Sequence, residues 1–347
     1  MSDILDIEQP AALMAYLRRT GRIAADEQPA IRVLGGGVSN RTVLVERPDG
    51  EAWVLKQALE KLRVAVDWFS SPERVHREAL GLRWLADLVP AQRLATLVFE
   101  DHAHHLLAMR AVPQPHDNWK SLLLAGHLKE DHVAQFGRLL GALHRETGAG
   151  AARHAEAARA FDDRSFFASL RLEPYYGYTA TQVPAATGFL HRLIAETLAT
   201  RVTLVHGDYS PKNVLVYRGD AGDGTLVLLD HEVIHYGDPA FDLGFSLTHL
   251  LSKAHYLRGQ RDLFAVAANV YWDTYAATVG AAPWMAGVEE RAVRHTLACL
   301  LARVAGRSPL EYLDAGARSR QREAVLALLA RTPPTVPALI ARFVAEV

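Results

Sequence analysis

Two short polar stretches decide the fold of this chain: residues 206–213 read His-Gly-Asp-Tyr-Ser-Pro-Lys-Asn, and residues 228–232 read Leu-Leu-Asp-His-Glu. Short β-branched and aliphatic runs lie on both sides of the first stretch, at 202–205 and 214–217. Such runs are typical of β-strands, and polar residues between two of them are typical of a loop. The sequence therefore predicts that residues 206–213 form a loop that joins two strands.

The segment between the two stretches predicts a β-hairpin. Its second strand is expected over 225–229, and a glycine-rich turn at 218–224 separates it from the first. The far end of a hairpin folds back beside its beginning, because the two strands pair in antiparallel register. We therefore expect Asp230 and Asn213 to be neighbours, despite their separation in the sequence.

The polar side chains of these stretches suit phosphoryl transfer. In this reaction one carboxylate orients the attacking hydroxyl, and oxygen ligands hold Mg²⁺ against the nucleotide phosphates. We assign Asp208 to the first task and Asn213 and Asp230 to the second, since Mg²⁺ shares its oxygen ligands with water and substrate. An isolated His-Gly-Asp triplet would more often be a plain turn, but the complete ordered set favours catalysis.

Length and composition set broad bounds. At 347 residues and 50% hydrophobic content, the chain can bury a large core and is expected to form two lobes or domains. A formal net charge of −1 and a pI near 7.0 indicate no overall attraction to nucleic acid or to an anionic membrane, although a local basic groove is compatible with them. We expect a small hydroxyl-bearing molecule as the partner, with neither nucleic acid nor membrane, and the oligomeric state stays open.

The single cysteine, Cys299, cannot form an internal disulfide, which is compatible with a reducing compartment. It lies in the apolar helical run 296–301, so we expect a buried, unreactive thiol. The first residues lack the basic region and apolar core of a signal peptide, and no apolar stretch is long enough to span a bilayer. These features predict a soluble, cytoplasmic protein.

The N-terminal part predicts a sheet with a glycine loop. Three strand-like segments follow one another at 31–34, 42–46 and 52–56. A glycine triplet at 35–37 lies in the first hairpin, and such a triplet is more often only a turn. Glycine also lets backbone N–H groups approach phosphate oxygens, and Ser39 and Asn40 add side-chain donors. We therefore predict nucleotide contacts at Gly36, Gly37, Ser39 and Asn40.

Lys56 ends an apolar strand, where its ammonium group is costly unless it meets an anion. A helix is predicted over 72–85, with proline at its start and aliphatic residues at helical spacing. Glu78 on this helix is the expected partner and would hold Lys56 toward the nucleotide phosphates. The alternative is a solvated surface lysine.

The proline-rich segment 113–115 predicts the boundary between the lobes. We expect residues 1–112, including a hairpin at 94–112, to form a nucleotide-binding lobe. Residues 113–347 would form a helical lobe with the catalytic loop and the acceptor site. Its helical patterns lie at 133–146, at 187–199 and from 242 onward, and the stretch 151–160 is a helix or a linker.

These residues resemble the aminoglycoside phosphotransferase and choline kinase superfamily. The resemblance runs from the glycine loop through Lys56 and Glu78 to the catalytic stretches and to 237–242, Gly-Asp-Pro-Ala-Phe-Asp. It implies an α+β, bilobal protein-kinase-like fold, with a small antiparallel β-sheet and one main helix in the N-lobe and a larger, mostly helical C-lobe. It also implies transfer of the γ-phosphate of ATP to a small-molecule hydroxyl, with ATP and Mg²⁺ as cofactors.

The resemblance also assigns roles to single positions. Asp208 is similar to the family's catalytic aspartate, Asn213 and Asp230 to its magnesium ligands, and Lys56 with Glu78 to its nucleotide-positioning pair.

Three further positions follow from the same resemblance. Asp242 corresponds to the aspartate that braces the catalytic loop through hydrogen bonds to its backbone. Met109 and Ala111 lie where the family's hinge contacts adenine through main-chain groups, so the side chains there carry little information.

The chain departs from protein kinases at two places. Residues 230–232 read Asp-His-Glu where protein kinases carry Asp-Phe-Gly, so we expect no regulated activation segment. Glu232 is either a second metal ligand or a structural carboxylate. The short path at 233–236 leaves no room for a peptide-docking loop, which favours a small acceptor.

Other candidates have two interpretations each. Lys212 either stabilises the transferred phosphate or is solvated, and His206 is expected to be a packed loop histidine rather than an acid or base. The histidine-rich tip at 101–105 would bind a metal only with a second ligand group, and none lies nearby in the sequence.

The acceptor site is less defined. The aromatic stretch 173–178 either binds a sugar or an ammonium group or packs inside the lobe. Arg303, Arg307 and Tyr312 lie near a predicted helix break and suit the rim of an acceptor site, although surface or inter-helix ion pairing is the preferred interpretation. No acidic cluster for a polycation is evident, which mildly favours a neutral or singly charged polyol, sugar or amino-alcohol over an aminoglycoside.

The sequence as a whole therefore predicts an ATP-dependent small-molecule kinase that acts on a sugar, an amino-alcohol or an aminoglycoside-like acceptor. The alternative is a catalytically silent regulator that binds a nucleotide. Such a regulator would be expected to have lost Asp208, Asn213, Asp230 or Lys56, and all four are present.

Overall fold

The structure is a computed structural model that describes residues 5–35, 37–64, 67–219 and 224–347. The chain forms two compact units. The first extends to Gln114 and also includes Leu229–Glu232, and the second contains Pro115–Leu228 and Val233–Val347. Asp230 and Glu232 therefore belong to the first unit.

The first unit contains an antiparallel sheet of five strands in the order β1-β2-β3-β5-β4. The strands are β1 Ala30–Val33, β2 Asn40–Glu46, β3 Ala52–Ala58, β4 Leu97–Asp101 and β5 Leu106–Arg110. Buried and half-buried residues alternate along most of β3, as expected for a sheet with one face on a core. Lys56 of β3 lies between Thr42 of β2 and Leu107 of β5, in the middle of this sheet.

Two α-helices belong to the first unit, α1 Pro10–Arg19 and α2 Arg74–Leu85. Proline in the first turn of α1 suits a position where the backbone N–H would have no partner in the helix. The helix buries three residues at helical spacing in an apolar core shared with the sheet: Leu13, Tyr16 and Leu17. The second helix, α2, packs on β3, β4 and β5 and buries Glu78.

The second unit contains five short strands in two sheets. The strands are β6 His116–Asn118, β7 Thr203–Val205, β8 Val214–Tyr217, β9 Thr225–Leu228 and β10 His235–Gly237. The first sheet has the order β6-β8-β9, and β7 pairs with β10. Val214 lies opposite Leu228, so the predicted hairpin is confirmed; residues 220–223 of its glycine-rich turn lie outside the described residues.

Helices form the rest of the second unit. They are α3 Trp119–Leu124, α4 Glu130–Thr147, α5 His154–Ala160, α6 Ser165–Phe167, α7 Tyr178–Gln182, α8 Thr187–Ala199, α9 Pro239–Tyr256, α10 Arg261–Val279, α11 Val288–Ala305, α12 Ala315–Ala330 and α13 Val336–Glu346. A π-helical segment, Ala168–Gly177, joins α6 to α7. Short 3₁₀ turns lie at Ala91–Arg93 in the first unit and at Pro184–Ala186, Pro211–Asn213, Arg258–Gln260 and Pro283–Met285 in the second.

Close helix packing places α9 in the centre of the second unit. Every residue from Pro239 to His255 is buried. A Cβ atom on Gly244 of α9 would lie 2.4 Å from Cβ of His295 on α11, so glycine is required for this approach. This close approach holds α9, whose first turn contains the brace residue Asp242, against α11.

Most predicted elements are present. The helix predicted over 187–199 has these bounds, the helix at 133–146 extends to Glu130–Thr147, and the stretch 151–160 contains the helix α5. The helical region from 165 to 182 was missed, because Pro174 interrupts its pattern and the aromatic residues there have no clear helical spacing. Its π-helical geometry is rare enough that no sequence pattern predicts it.

Cys299 lies on α11 and is fully buried. Its Sγ is 3.2 Å from the hydroxyl of Tyr176, and burial raises the pKa of the thiol to about 12. The prediction of a buried, unreactive thiol is confirmed. Among the described residues, no helix combines the length and the apolar composition that crossing a bilayer requires.

Candidate active site

A mostly buried lysine pairs with two carboxylates in the first unit. Lys56 lies on β3, and its Nζ is 2.7 Å from Oε1 of Glu78 and 2.7 Å from Oδ1 of Asp230. Glu78 reaches it from α2, and Asp230 from the segment 229–232. The pairing with Glu78 that the sequence predicted is therefore present, and Asp230 is an additional partner.

Burial and charge oppose each other around Lys56. Burial disfavours the ammonium form, but Asp230 and Glu78 outweigh it and raise the pKa of Lys56. Burial also raises the pKa of Glu78, although Lys56 opposes this effect. Two carboxylates share one ammonium group here, and an excess of negative charge is what a divalent cation requires.

Asp230 has an uncommon backbone conformation, with φ at 68°. The left-handed region costs a non-glycine residue on the order of 1 kcal/mol and persists only where the surrounding structure enforces it. Asp230 keeps this conformation although glycine would adopt it freely. A requirement for a carboxylate at this position explains why aspartate is present despite the conformational free energy that it costs.

Glu232 belongs to a buried network in the first unit. Its Oε2 accepts hydrogen bonds from Nε of Arg74 at 3.2 Å and from Nδ2 of Asn40 at 3.1 Å. The guanidinium of Arg74 also donates to the backbone oxygens of Ser39 and Leu59. Arg74 thus ties Glu232 to the segment after the glycine loop, and the metal role of Glu232 stays a prediction.

Sequence reasoning missed Arg74, although it is fully buried. It lies at the start of a helix that the sequence predicted, where an arginine is usually solvated. No local signal distinguishes the two cases, because its carboxylate partner, Glu232, is far away along the chain.

The glycine loop is described except for Gly36, a predicted nucleotide contact that lies outside the described residues. A Cβ atom on Gly35 would meet no atom within 4 Å, and one on Gly37 would be 3.4 Å from the backbone oxygen of Asn40. Packing inside the protein therefore does not require glycine at position 35. The nucleotide contacts predicted for Gly37, Ser39 and Asn40 stay predictions.

The predicted hinge positions lie at the end of β5. Met109 pairs with Val54 on one side and with Leu97 on the other. The backbone N–H of Ala111 donates to the oxygen of Ala52 at 2.8 Å. The adenine contacts assigned to Met109 and Ala111 would have to use main-chain groups outside these bonds, and they stay predictions.

In the second unit, two side chains orient the carboxylate of Asp208. Nη2 of Arg171 and Nδ2 of Asn213 both lie 2.7 Å from its Oδ2. Oδ1 has no hydrogen-bond partner among the described residues and is the oxygen left for a substrate hydroxyl. The same Nδ2 of Asn213 bonds the backbone oxygen of Asp208 at 3.0 Å, which leaves the amide oxygen of Asn213 for a metal.

Asp242 holds the backbone of the catalytic loop. Its two oxygens accept hydrogen bonds from the N–H groups of His206 at 2.7 Å and Gly207 at 2.8 Å. Burial opposes its charge, but His144 and the other donors outweigh burial and lower the pKa of Asp242. The predicted brace is present, and a positive φ of 78° at Gly207 shows why glycine suits this turn.

His206 and Lys212 differ in burial. His206 is fully buried, and its Nδ1 accepts a hydrogen bond from the N–H of Asp208 at 3.2 Å, as expected for a packed loop histidine. The side chain of Lys212 is exposed, while its backbone oxygen accepts a bond from Asn118 at 2.8 Å. A phosphate contact by Lys212 stays a prediction.

The aromatic stretch 173–178 packs mainly inside the second unit. Tyr176 is fully buried and lies 2.8 Å from Nδ1 of His295, and Tyr175 is nearly buried. Of the two interpretations of this stretch, the structure supports packing. Arg171, on the same π-helical segment, was not assigned a role by sequence reasoning, because its contact with Asp208 bridges 37 residues.

The two arginines near the helix break have different surroundings. Arg307 pairs with Glu173 at 3.1 Å, so the preferred interpretation as an ion pair is confirmed. For Arg303 that interpretation is wrong: the residue is only 9% exposed, and it has no carboxylate partner among the described residues. Its Nη1 instead donates to the hydroxyl of Tyr175 at 3.0 Å.

The histidine-rich tip at 101–105 meets side chains of α2. Nδ1 of His105 lies 3.3 Å from Glu73, and Nδ1 of His76 lies 3.3 Å from Glu100. The structure thus supplies the second ligand group that the sequence did not show nearby. Each of these histidines lies beside a carboxylate, and burial lowers the pKa of His76, which favours its neutral form.

The sequence matches the model of the phosphotransferase enzyme family over residues 30–278. The chain belongs to this family. The match covers well over half of the chain, and it includes both the first-unit sheet and the catalytic loop. No curated protein matches the sequence.

Solved structures of other phosphotransferases share the fold. A choline kinase from Streptococcus pneumoniae is 14% identical, with a TM-score of 0.54, over 92% of this chain and 99% of that one. A macrolide 2'-phosphotransferase from Brachybacterium faecium is 19% identical, with a TM-score of 0.52, over 93% and 98% of the chains. An aminoglycoside 2'-phosphotransferase-IIIa in complex with GDP is 14% identical, with a TM-score of 0.54, over 97% and 99%.

These findings establish the fold and the type of reaction. The chain has the predicted α+β, protein-kinase-like fold, with an antiparallel sheet in its N-terminal part and helices in its C-terminal part. It is a phosphotransferase that acts on a hydroxyl group. The recognition of the family from the sequence is confirmed.

Proposed function

We propose that this phosphotransferase transfers the γ-phosphate of ATP to a hydroxyl of a small molecule, with sugars, amino-alcohols and aminoglycoside-like compounds as the candidate classes. The observation that carries the proposal is the carboxylate of Asp208, which Arg171 and Asn213 orient through one oxygen. A carboxylate oriented in this way, with its other oxygen available, suits an incoming hydroxyl.

Asp208 acts as the acceptor of the hydroxyl's hydrogen bond during in-line transfer. Its backbone is held because Asp242 binds the N–H groups of the preceding two residues. The contribution of the loop is therefore positioning and electrostatics, and a strongly basic aspartate is not needed. In this proposal residues 113–347 form the catalytic and acceptor lobe.

Residues 1–112 form the nucleotide-binding lobe in the same proposal. Lys56, held by Glu78, neutralises phosphate charge, and the loop residues Gly36, Gly37, Ser39 and Asn40 contact the phosphates. Met109 and Ala111 contact the adenine through main-chain atoms. Lys212 of the catalytic loop stabilises the transferred group.

The oxygen atoms of three predicted site residues suit magnesium. We propose Asp230, Glu232 and Asn213 as metal ligands, since they offer carboxylate and amide oxygens. The excess of negative charge around Lys56 and the unused amide oxygen of Asn213 fit this assignment. When bound, Mg²⁺ neutralises charge on the phosphate oxygens.

The proposal is tested by measuring nucleoside diphosphate release with ATP and with GTP over a library of sugars, amino-alcohols and aminoglycosides. GTP is included because the aminoglycoside 2'-phosphotransferase-IIIa structure holds GDP. We expect acceptor-dependent release of ADP that requires Mg²⁺. Tight ATP binding without release in any acceptor class would instead support the silent regulator. The cytoplasmic location stays a prediction.

A further inference from the structure

One face of α9 leads away from the catalytic loop toward a buried lysine. Oγ of Ser246 donates to the backbone oxygen of Tyr209, the residue after Asp208, at 2.8 Å. His249 and Lys253 follow Ser246 at three and seven residues, which puts them on the same side of the helix. At a rise of about 1.5 Å per residue, Lys253 lies roughly 10 Å along the helix axis from the contact with the catalytic loop.

Lys253 is buried without an internal anion. Its exposure is 0%, and its Nζ donates to the backbone oxygen of His249 at 3.1 Å. The ring of Tyr312 lies 5.6 Å from the same nitrogen. Within the described part of the chain, no carboxylate comes within ion-pair distance of it. A buried ammonium group in such surroundings is costly unless an anion joins it.

The pKa of Lys253 reflects these surroundings. Burial, together with the charges of Lys120 and Arg303, lowers it to about 7, and only Glu311 acts in the opposite direction. The pKa of His249 is also well below its usual value because of burial and then of Arg303, Lys253 and other cations. Several cationic side chains therefore converge near one end of α9.

The cluster has buried donors that lack acceptors. Nε of Arg303 and the hydroxyl of Tyr312 are buried, and neither has a hydrogen-bond partner among the described residues. Nη1 of Arg303 contacts the hydroxyl groups of Tyr175 and Ser308. Buried polar groups are nearly always satisfied in folded proteins, so the missing acceptors point to a ligand that supplies oxygens.

An ion pair with an exposed carboxylate accompanies these cations. Nζ of Lys120 contacts Oε1 of Glu311, whose side chain is 61% exposed. Lys120 follows Asn118, which bonds the backbone oxygen of Lys212 in the catalytic loop. Glu311 is the one acid that faces these cations in the described residues, and its exposure allows another oxyanion to replace it.

We propose that the acceptor carries an anionic group, a carboxylate or a phosphate ester, that binds the cluster of Lys253, Arg303 and Lys120 while its hydroxyl lies at Asp208. This inference rests on the proposed function and narrows it. The acceptor is then a hydroxy acid, a sugar acid or a sugar phosphate, and polycations such as aminoglycosides are repelled. An anionic acceptor replaces the neutral or singly charged polyol, sugar or amino-alcohol that the sequence mildly favoured.

Turnover in separate acceptor classes tests the proposal. Hydroxy and sugar acids, sugar phosphates, neutral polyols, and amino-alcohols with aminoglycosides are compared by nucleoside diphosphate release. We expect release with one of the two anionic classes. Lys253→Met should raise the KM for that acceptor about tenfold to a hundredfold, because a charged hydrogen bond is lost, while the KM for ATP changes little. Lys129→Met, at an exposed position, is the matched control.

Binding of inorganic phosphate tests the site without turnover. At constant ionic strength, phosphate should raise the melting temperature of the wild type and of Lys129→Met but not of Lys253→Met. If Lys56→Met loses this response and Lys253→Met keeps it, phosphate binds the nucleotide lobe and the proposal is overturned. No response at all in the wild type would also overturn it.

The outcomes separate this inference from the proposed function. Turnover of a neutral or cationic acceptor that is unaffected by Lys253→Met would overturn the anionic acceptor and leave the kinase activity in place. Phosphate binding that requires Lys253, without turnover of any acceptor, would support the anion site and contradict the proposed function.

Discussion

Lys56 in the first unit is mostly buried and Lys253 in the second is fully buried, yet the two lysines have opposite electrostatic surroundings. Lys56 has two carboxylate oxygens at 2.7 Å, whereas Lys253 has a backbone oxygen and an aromatic ring. The pKa is raised for Lys56 and lowered to about 7 for Lys253. Burial opposes the charge in both, so the number of nearby carboxylates decides the result.

This difference indicates two kinds of use for a buried lysine. The protein supplies the anions of Lys56, which keeps the ammonium charged and fixed in place. The protein supplies none for Lys253 within the described residues, so an anion has to come from a ligand. Of the two lysines, Lys253, which has no anionic partner among the described residues, therefore says more about what the protein binds.

Of these substitutions, we expect the largest effect from replacing Lys56, the lysine with two carboxylate partners. Lys56→Met should lower kcat/KM by roughly a thousandfold, because Glu78 and Asp230 lose their shared cation and repel each other. Steady-state kinetics measure the loss, and circular dichroism checks the fold. Lys61→Met, at an exposed lysine with an ion pair to Asp67, is the control and should retain activity. Near-normal activity of Lys56→Met would remove the basis of the nucleotide-lobe assignment.

Removing the unpaired lysine should stabilise the fold. Below about pH 7 both the folded and unfolded states hold the proton, so the folded state carries the full cost of the buried charge. As pH rises toward the unfolded pKa of about 10.5, the folded state loses its proton first and native stability increases. Lys253→Met should therefore gain up to about 5 kcal/mol of unfolding free energy near pH 6, and less as pH rises.

Urea unfolding at about pH 6 and pH 9 measures this gain. Lys129→Met serves as the control, since an exposed lysine has no burial cost to relieve. A destabilised Lys253→Met at the lower pH would mean that the ammonium group has an internal partner, and the contrast with Lys56 would fail.

Arg171 is an intermediate case, a nearly buried cation with one carboxylate, Asp208. Arg171→Met should lower kcat about thirtyfold with little change in the KM for ATP, because the orientation of Asp208 is lost. Arg171→Lys should restore part of kcat, which a purely structural role would not predict. An unchanged kcat in Arg171→Met would show that Asn213 alone orients the carboxylate.

The smallest effect is expected at the carboxylate that faces the unpaired lysine. Of the described residues, Glu311 is the acid that acts on both Lys120 and Lys253, so with Glu311→Gln an anionic acceptor should bind about threefold more tightly. The KM for the acceptor measures this change, and Glu323→Gln at an exposed position of α12 is the control. A higher KM in Glu311→Gln would indicate that Glu311 binds the acceptor itself.

The sequence predicted the parts of the site that local patterns encode. The hairpin of β8 and β9 follows from two apolar runs and a glycine-rich turn, and the helix with Glu78 follows from aliphatic spacing. The pairing of Lys56 with Glu78 was predictable because a lysine that ends an apolar strand needs an anion. The contact of Asp242 with the catalytic loop followed from the family resemblance.

Other parts of the site were not predictable. Arg74 and Arg171 look like ordinary charged residues of helices, and their carboxylate partners, Glu232 and Asp208, lie more than 30 residues away. Arg303 was expected to be exposed or ion-paired, yet α11 buries it, and no carboxylate of the described residues pairs with it. Such outcomes depend on which surfaces pack together, and one sequence does not reveal this.

Residues close together in the chain were enough to predict the candidate catalytic groups and the strands and turns that present them, because these depend on local patterns. Tertiary structure decided which charges are paired. Lys56 and Lys253 are both lysines beside apolar residues in the sequence, and only the packing of distant elements brings two carboxylates to the first and leaves the second without one among the described residues. The physical reason is that burial destabilises the charged form of every group, whereas the opposite charges that stabilise it come from residues far away in the sequence.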